Sequence, residues 1–424
     1  MERTWLRPPP PFLASNSAHP IGWCNFRLRC PINRRRFLRG FGIVTVLVVG
    51  GVVWYADEEG AFSLESGPAF EPWQDWNQPQ TGMLALVRAG ILAASPHNTQ
   101  PWLFRVQGNT IDVLAHTSRN TGALDPYLRE LHIGLGCALE NICVAAPTAG
   151  FAATIEPVDG TLGSQSAALA PQRVATVHCS PASLAAHPLY SSLPNRHTNR
   201  TPYLMRALPD LFLQQLLALS QSRPDTKVFL FTASDERKQV VDLVSLCDAT
   251  VYADKAVGEG TVPWERVFKW KDVEQQRDGI TLPDYGVPHA TAALLYSLPK
   301  PLELAVMSRT DKDSYPKLLA ASPLFGIIAV RDRYAVAQCL EAGRLWEHAH
   351  LLATAQGIAA RPINEAVELI DIENAEGRPR VTEPKLAALT GDSSWQPTFM
   401  FRMGYAAKAA PASPRRGLEM VLQQ

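Results

Sequence analysis

Ser95-Pro96-His97-Asn98-Thr99-Gln100-Pro101-Trp102 is the stretch on which the fold turns. Two prolines and a run of polar side chains make it a loop rather than a helix or a central strand. An apolar helical pattern precedes it (about 81–94), and Trp102-Leu-Phe-Arg-Val-Gln107 reads as a strand. The same arrangement recurs. A helix predicted at 207–219 leads through Ser220-Gln-Ser-Arg-Pro-Asp-Thr-Lys227 into a strand at 227–232. A second repeat runs beside the first. Gly136, Glu140 and Gly150 are spaced as are Gly343, Glu347 and Gly357, each set spanning an apolar helix closed by a C-terminal glycine and followed by an extended segment. The chain therefore reads as an α+β protein built from two copies of one unit. The halves are 81–190 and 191–424, the second carrying an insertion at 255–320 rich in Trp, Tyr and Pro.

Composition sets the outer bounds. The 424 residues, 46% of them hydrophobic, can bury two ordinary cores or one large fused core. Forty basic residues balance forty acidic ones, so net charge points to no nucleic-acid partner. Seven cysteines in a chain this long make no disulfide framework, and those outside the leader read as small buried hydrophobes.

The N-terminus is different in kind. Residues 1–56 form a leader in which Asn33-Arg34-Arg35-Arg36-Phe37-Leu38-Arg39 resembles a twin-arginine export signal. The stretch 40–56 carries no charge and is just long enough to cross a bilayer. Arginines before it and Asp57-Glu58-Glu59 after it would leave the body outside the cytoplasm. Inner-membrane or periplasmic placement is expected on this reading, and a cytoplasmic one without it. With no clear cleavage site the run favours an anchor, and 57–80 reads as a linker.

Several motifs fall away. Gly134-Leu-Gly136 lacks the third glycine of a dinucleotide fingerprint and lies within a helix. Glu347-His348-Ala-His350 has only Glu140 and Cys143 as counterparts, so no metal site is expected. Four separated stretches remain. Arg196-His197-Thr198-Asn199-Arg200 sets two cations around a hydroxyl, read as opening a helix, which would suit a phosphate. The loop quoted first offers Pro96, His97, Asn98 and Gln100, whose amides both donate and accept. Gly357 leads to Arg361-Pro362-Ile363-Asn364-Glu365. Phe399-Met-Phe-Arg402-Met-Gly404-Tyr405 is followed by the basic pair Arg415-Arg416.

Together these resemble the nitroreductase family, in its fused two-unit, Acg-type branch. The resemblance implies an α+β three-layer fold, two unequal units mimicking the family dimer, and one FMN between them. It implies that Arg196, His197, Thr198, Arg200, Arg415 and Arg416 serve the phosphate and ribityl end. Pro96, His97, Asn98 and Gln100 would touch the ring and ribityl chain. A backbone N–H near Pro362, Ile363 and Asn364 would reach flavin N5, although Asn364-Glu365 stands where the family has Glu-Gly. The flavin carries the chemistry, so no catalytic side chain is named. The expected activity passes electrons from a small donor to a nitroarene, quinone or enone. The alternative is a protein that sequesters flavin beneath the 255–320 insertion with little turnover. One half keeps the Asn98/Gln100 loop and the other keeps Arg196–Arg200, so a single composite site in a monomer is expected.

Overall fold

The computed structural model describes residues 64–77, 82–164, 170–297 and 314–423. The twin-arginine stretch and the apolar run 40–56 lie outside these. Among the described residues no helix is long and apolar enough to cross a membrane.

Helix α1 (Met83–Gly90) leads through the Ser95–Trp102 loop into β1 (Trp102–Gln107) and β2 (Thr110–Ala115). Helix α2 (Arg129–Ala145), β3 (Phe151–Pro157) and β4 (Gln172–Pro181) follow. The four strands make one antiparallel sheet in the order β1-β2-β4-β3. The second part begins with the short β5 (Tyr203–Leu204), then α3 (Asp210–Ala218), β6 (Thr226–Phe231) and α4 (Ser234–Val251). Beyond the insertion come β7 (Leu324–Val330), α5 (Val336–Ala355), β8 (Ala359–Pro362), α6 (Glu365–Ala375) and β9 (Gln396–Ala406). Its sheet runs β8-β9-β7-β6, with β5 on the far end of β9, again antiparallel. Strand β7 is buried at every residue, which is why Leu324–Val330 is uniformly apolar rather than alternating. The fold class is α+β, as expected.

The two helices of the repeat, α2 and α5, pack on each other at their paired glycines. A Cβ built on Gly136 would lie 2.0 Å from the Leu340 carbonyl oxygen, and one on Gly343 would lie 2.0 Å from that of Ile133. Each glycine thus faces the carbonyl three residues before the other, so the contact is reciprocal. Only glycine permits this approach. Around it, Leu139, Ile142, Trp346 and Ala349 are buried in one continuous core with Trp102 and Phe104. Fully burying such side chains is worth about 1.5–3 kcal/mol each.

The linker reading of 57–80 needs correction. Glu71–Gln74 is helical, and Ala69, Phe70 and Trp73 are buried. Phe70 stacks on Trp270 at 5.8 Å, and the Trp73 indole N–H donates to the Ser413 carbonyl at 2.7 Å. Among the described residues, Pro68 and Pro72, which suggested a linker, flank apolar anchors that the core absorbs.

Candidate functional site

One cavity, about 180 Å³ in volume, gathers residues from both halves. The first half supplies Pro96, His97 and Asn98 from the loop, and Glu130, Gly134 and Cys137 from α2. The second supplies Arg196, Thr198 and Arg200, then Arg361, Pro362, Asn364, Glu365 and Glu368, and Arg415 from the tail. Ile280 and Tyr285 of the insertion complete the wall.

The loop is strained where it meets the cavity. His97, Asn98 and Gln100 all have positive φ (45°, 53° and 51°), half of the six non-glycine residues so placed among those described. Conformations of this kind cost of order 1–3 kcal/mol each and persist only when their surroundings enforce them. The enforcement is visible. The Asn98 amide donates to the Gly279 and Pro414 carbonyls, each at 3.0 Å, and accepts from Arg415 Nη1 at 2.6 Å. Gln100 Nε2 donates to the Arg277 carbonyl at 2.8 Å, and its oxygen accepts the Arg416 N–H at 2.8 Å. On the helix side, a Cβ on Gly134 would come within 3.1 Å of Pro96. Gly134, set aside as a cofactor fingerprint, is what lets the loop lie against α2.

The thirteen residues singled out in the sequence therefore divide. Pro96, His97, Asn98, Arg196, Thr198, Arg200, Pro362, Asn364 and Arg415 reach the cavity. His197, Gln100, Ile363 and Arg416 are not among its lining residues. The His197 ring packs edge-on against Trp73 at 4.5 Å. Ile363 is fully buried and donates its N–H to the Met400 carbonyl at 2.9 Å, so that amide serves the sheet. Arg416 bonds the Gln100 and Met420 carbonyls and pins the tail. A further correction concerns Arg196–Arg200. The segment follows a 3₁₀ turn, Tyr190–Asn195, and runs as irregular chain into β5 rather than opening a helix. No helix dipole acts there, because Pro202 and the β5 pairing carry the backbone into the sheet.

Cations and carboxyls both line the cavity. Arg196 is paired with buried Glu347 at 2.8 Å, a close contact not aligned as a hydrogen bond. It also donates to the Leu92 carbonyl at 2.9 Å. Arg200 and Arg415 have no ion pair among the described residues; Arg200 lies 3.5 Å from the Asp284 carbonyl and beside the Tyr285 ring, with Glu265 near enough to feel its charge, and Arg415 donates to Asn98 and to the Pro414, Leu92 and Ala93 carbonyls. Burial, with Arg196 nearby, pushes the Arg415 guanidinium down to about 9, and its Nε has no partner. A buried cation left so is stabilised by an anion placed against it. Burial holds His97 near 4 and His197 near 3, with Arg200 acting on the first and Arg196 and Arg415 on the second, so both are neutral at pH 7. Glu130, Glu365 and Glu368 line the same cavity, Arg361 facing Glu365, and all three are raised above the ordinary carboxylate range chiefly by burial. The sequence assigns these carboxyls no role. Their one legible sign is that Glu365 and Glu368 lie three apart on one helical face.

The counterpart of this arrangement elsewhere in the repeat is filled. Gly134 and Cys137 correspond to Glu341 and Arg344, each 207 positions on, as Gly343 is from Gly136. Arg344 pairs with Glu341 at 2.8 Å and with Glu140 at 3.1 Å. Glu140 also accepts from His348 at 2.7 Å, and Arg223, from the second loop, binds Glu341. An ion network thus occupies the positions that small residues leave open in the cavity.

No family model matches the chain. Curated relatives do. "Putative NAD(P)H nitroreductase Rv3131" of Mycobacterium tuberculosis (strain ATCC 25618 / H37Rv) is 26% identical over 344 residues, covering 78% of this chain and 88% of the relative. "Putative NAD(P)H nitroreductase acg" of the same strain is 24% identical over 351 residues, covering 79% and 93%. Among solved structures, the FMN and NADPH-dependent nitroreductase NfnB from "sphigopyxis sp. strain HMH" aligns with a TM-score of 0.36 at 15% identity. It covers 56% of this chain and 98% of that one. The NfnB of Mycobacterium smegmatis in complex with NADPH aligns at 0.34 and 13%, over 56% and 97%. The curated relatives support the resemblance to the nitroreductase family that the four motifs carry.

Proposed function

We propose that this chain is an FMN-dependent oxidoreductase of nitroreductase type, with one flavin in the composite cavity and NAD(P)H or another small reductant as donor. The observation that carries this reading is the composite cavity, lined by Arg200 and Arg415 without ion pairs among the described residues, by a strained loop and by residues of both halves. Bound flavin would accept two electrons from the donor and return them to a nitroarene, quinone or enone. The protein's part is position. Arg200 and Arg415 would hold the phosphate, and Thr198 the ribityl chain. The Asn98–Gln100 loop, locked by the insertion and the tail, would form a rigid wall rather than offer its amides to the ring.

The filled counterpart supports one flavin per chain. It also supports reading the halves 81–190 and 191–424 as a fused pair that needs no second copy. The leader is proposed as a twin-arginine signal or anchor; lysine at Arg34 and Arg35 would then block export. A second reading, flavin sequestration, is favoured by the bonds from Gly279 and Arg277 of the insertion to the cavity loop. The purified protein should be yellow and carry one FMN per chain, and NADPH should bleach it. Two flavins per chain would refute the single site. A protein that cannot be made to take up flavin would refute the whole reading. Bleaching by dithionite but not by NADPH would favour sequestration.

A further inference from the structure

Glu130, Glu365 and Glu368 come from two helices and line one cavity, yet they are not equivalent. Glu130 lies 3.5 Å from Arg129, which in turn binds Asp371 at 2.6 Å. Glu365 accepts from the Tyr315 hydroxyl and faces Arg361. The Glu368 side chain has no hydrogen bond or ion pair among the described residues, its Oε2 is an orphan, and only 6% of the residue is exposed. Such enclosure favours the neutral acid over the unpaired anion in the resting protein. The residue lines the cavity, so the acid stands within reach of what binds there.

We propose that Glu368 is the protein's own proton donor to the acceptor reduced in this cavity. The assignment rests on the flavin reading above and goes further, since that reading names no catalytic side chain. The balance is simple for a quinone. A bound reduced flavin would supply two electrons and one proton as hydride, and the second proton would leave the Glu368 carboxyl for the quinone oxygen. Glu368 becomes a carboxylate and is reprotonated from water. The acceptor class follows. Quinones and enones, which need a proton at oxygen as they gain electrons, should be served, and an outer-sphere oxidant such as ferricyanide should gain nothing from the residue.

The surroundings of Glu368 favour the neutral acid. Burial acts first, and Glu130 and Asp125 from the segment around α2 and Glu365 on its own helix add like charge. Arg129 opposes them, engaged though it is with Asp371. Cys247 on α4 and Tyr252 just after that helix lie near enough to interact with Glu368. The folded-state value is raised, so the contribution to stability is complete below the ordinary glutamate value and is lost as pH rises through the folded one.

Two measurements on the full chain test this. In the apoprotein, Glu368→Gln should flatten the loss of thermal stability on the alkaline side; parallel curves for wild type and variant would overturn the protonated state. In the flavin-loaded protein, pre-reduced and mixed with acceptor, Glu368→Gln should slow quinone reduction about 10²-fold or more, the scale of general acid catalysis. Ferricyanide reduction should be unchanged. An equal fall with both acceptors, or with neither, would overturn the donor role. Failure of the underlying flavin reading is distinct, because it shows as a colourless protein that overturns the role in acceptor reduction while the apoprotein curves still report the proton.

Discussion

Replacing Gly136 or Gly343 with alanine puts a methyl group 2.0 Å from a backbone carbonyl oxygen of the facing helix. Ordinary Cβ contacts begin near 3.4 Å, so α2 and α5 must separate locally by 3.4 − 2.0 = 1.4 Å. No flexible side chain can yield instead, because the obstructing atoms belong to backbone. A gap well below this already forfeits a quarter to a half of each dispersion contact at an interface. Overpacking costs about 1–3 kcal/mol, and rigid surroundings argue for the upper end. Alanine recovers up to about 1 kcal/mol of helix propensity, leaving a net loss of about 2 kcal/mol. That shifts the folded-to-unfolded ratio about 30-fold. Because the contact is reciprocal, the two single variants should lose similar amounts. The double variant should lose less than their sum, since the first methyl has already opened the space for the second; a coupling of about 1 kcal/mol is expected. Equilibrium urea unfolding of the apoprotein measures all four corners of the cycle. Gly258→Ala, in the helix Lys255–Thr261 with nothing within 4 Å, is the internal control and should hold or gain stability. Single variants within about 0.5 kcal/mol of wild type, or strict additivity, would refute the close crossing.

Arg200→Ala should weaken FMN binding about tenfold or more through loss of a charge-assisted phosphate bond. Riboflavin, lacking the phosphate, should bind nearly as before, and equal weakening of both in an apoprotein titration would remove Arg200 from the phosphate site. Arg196→Ala should lower apoprotein stability by about 3–5 kcal/mol, because it strands Glu347 as a buried charge. Adding Glu347→Gln should restore part of that loss in denaturant unfolding, whereas a double variant no more stable than Arg196→Ala would argue against the pairing. For His97 and His197 the folded-state values, about 4 and about 3, lie below the ordinary 6.5. Their contribution is therefore complete above pH 6.5 and is lost as pH falls below it, down to about 4 for His97 and about 3 for His197. His197→Asn should make the acid limb of the apoprotein's stability–pH curve shallower, and an unchanged limb would show that His197 does not stay neutral in the folded protein.

The sequence by itself determined the α+β class, the helix–loop–strand runs around Ser95–Trp102 and Ser220–Lys227, and the equivalence of Gly136 and Gly343 in a repeat. These are local or periodic properties: apolar spacing, helix-closing glycines and proline-bounded loops act within a few residues and leave a mark in order along the chain. It also picked out thirteen residues of which nine line one cavity, because clustered cations and proline-bounded polar loops carry recognisable residue types. What it misjudged was commitment. Gln100, Ile363 and Arg416 have the right chemistry, but Arg277, Met400 and Met420, remote in sequence or across a turn, consume their hydrogen bonds. Asn98 is spent in the same way on Gly279, Pro414 and Arg415. The grouping of three carboxyls was invisible because Glu130 joins Glu365 and Glu368 only when α2 and α6 are brought together, through Arg129 and Asp371. Nor does the order of residues reveal that Glu341 and Arg344 meet Glu140 and Arg223 and fill the second position. Which polar groups are satisfied, and which are left facing a cavity, is a property of three-dimensional neighbours, and the tertiary structure alone decides it.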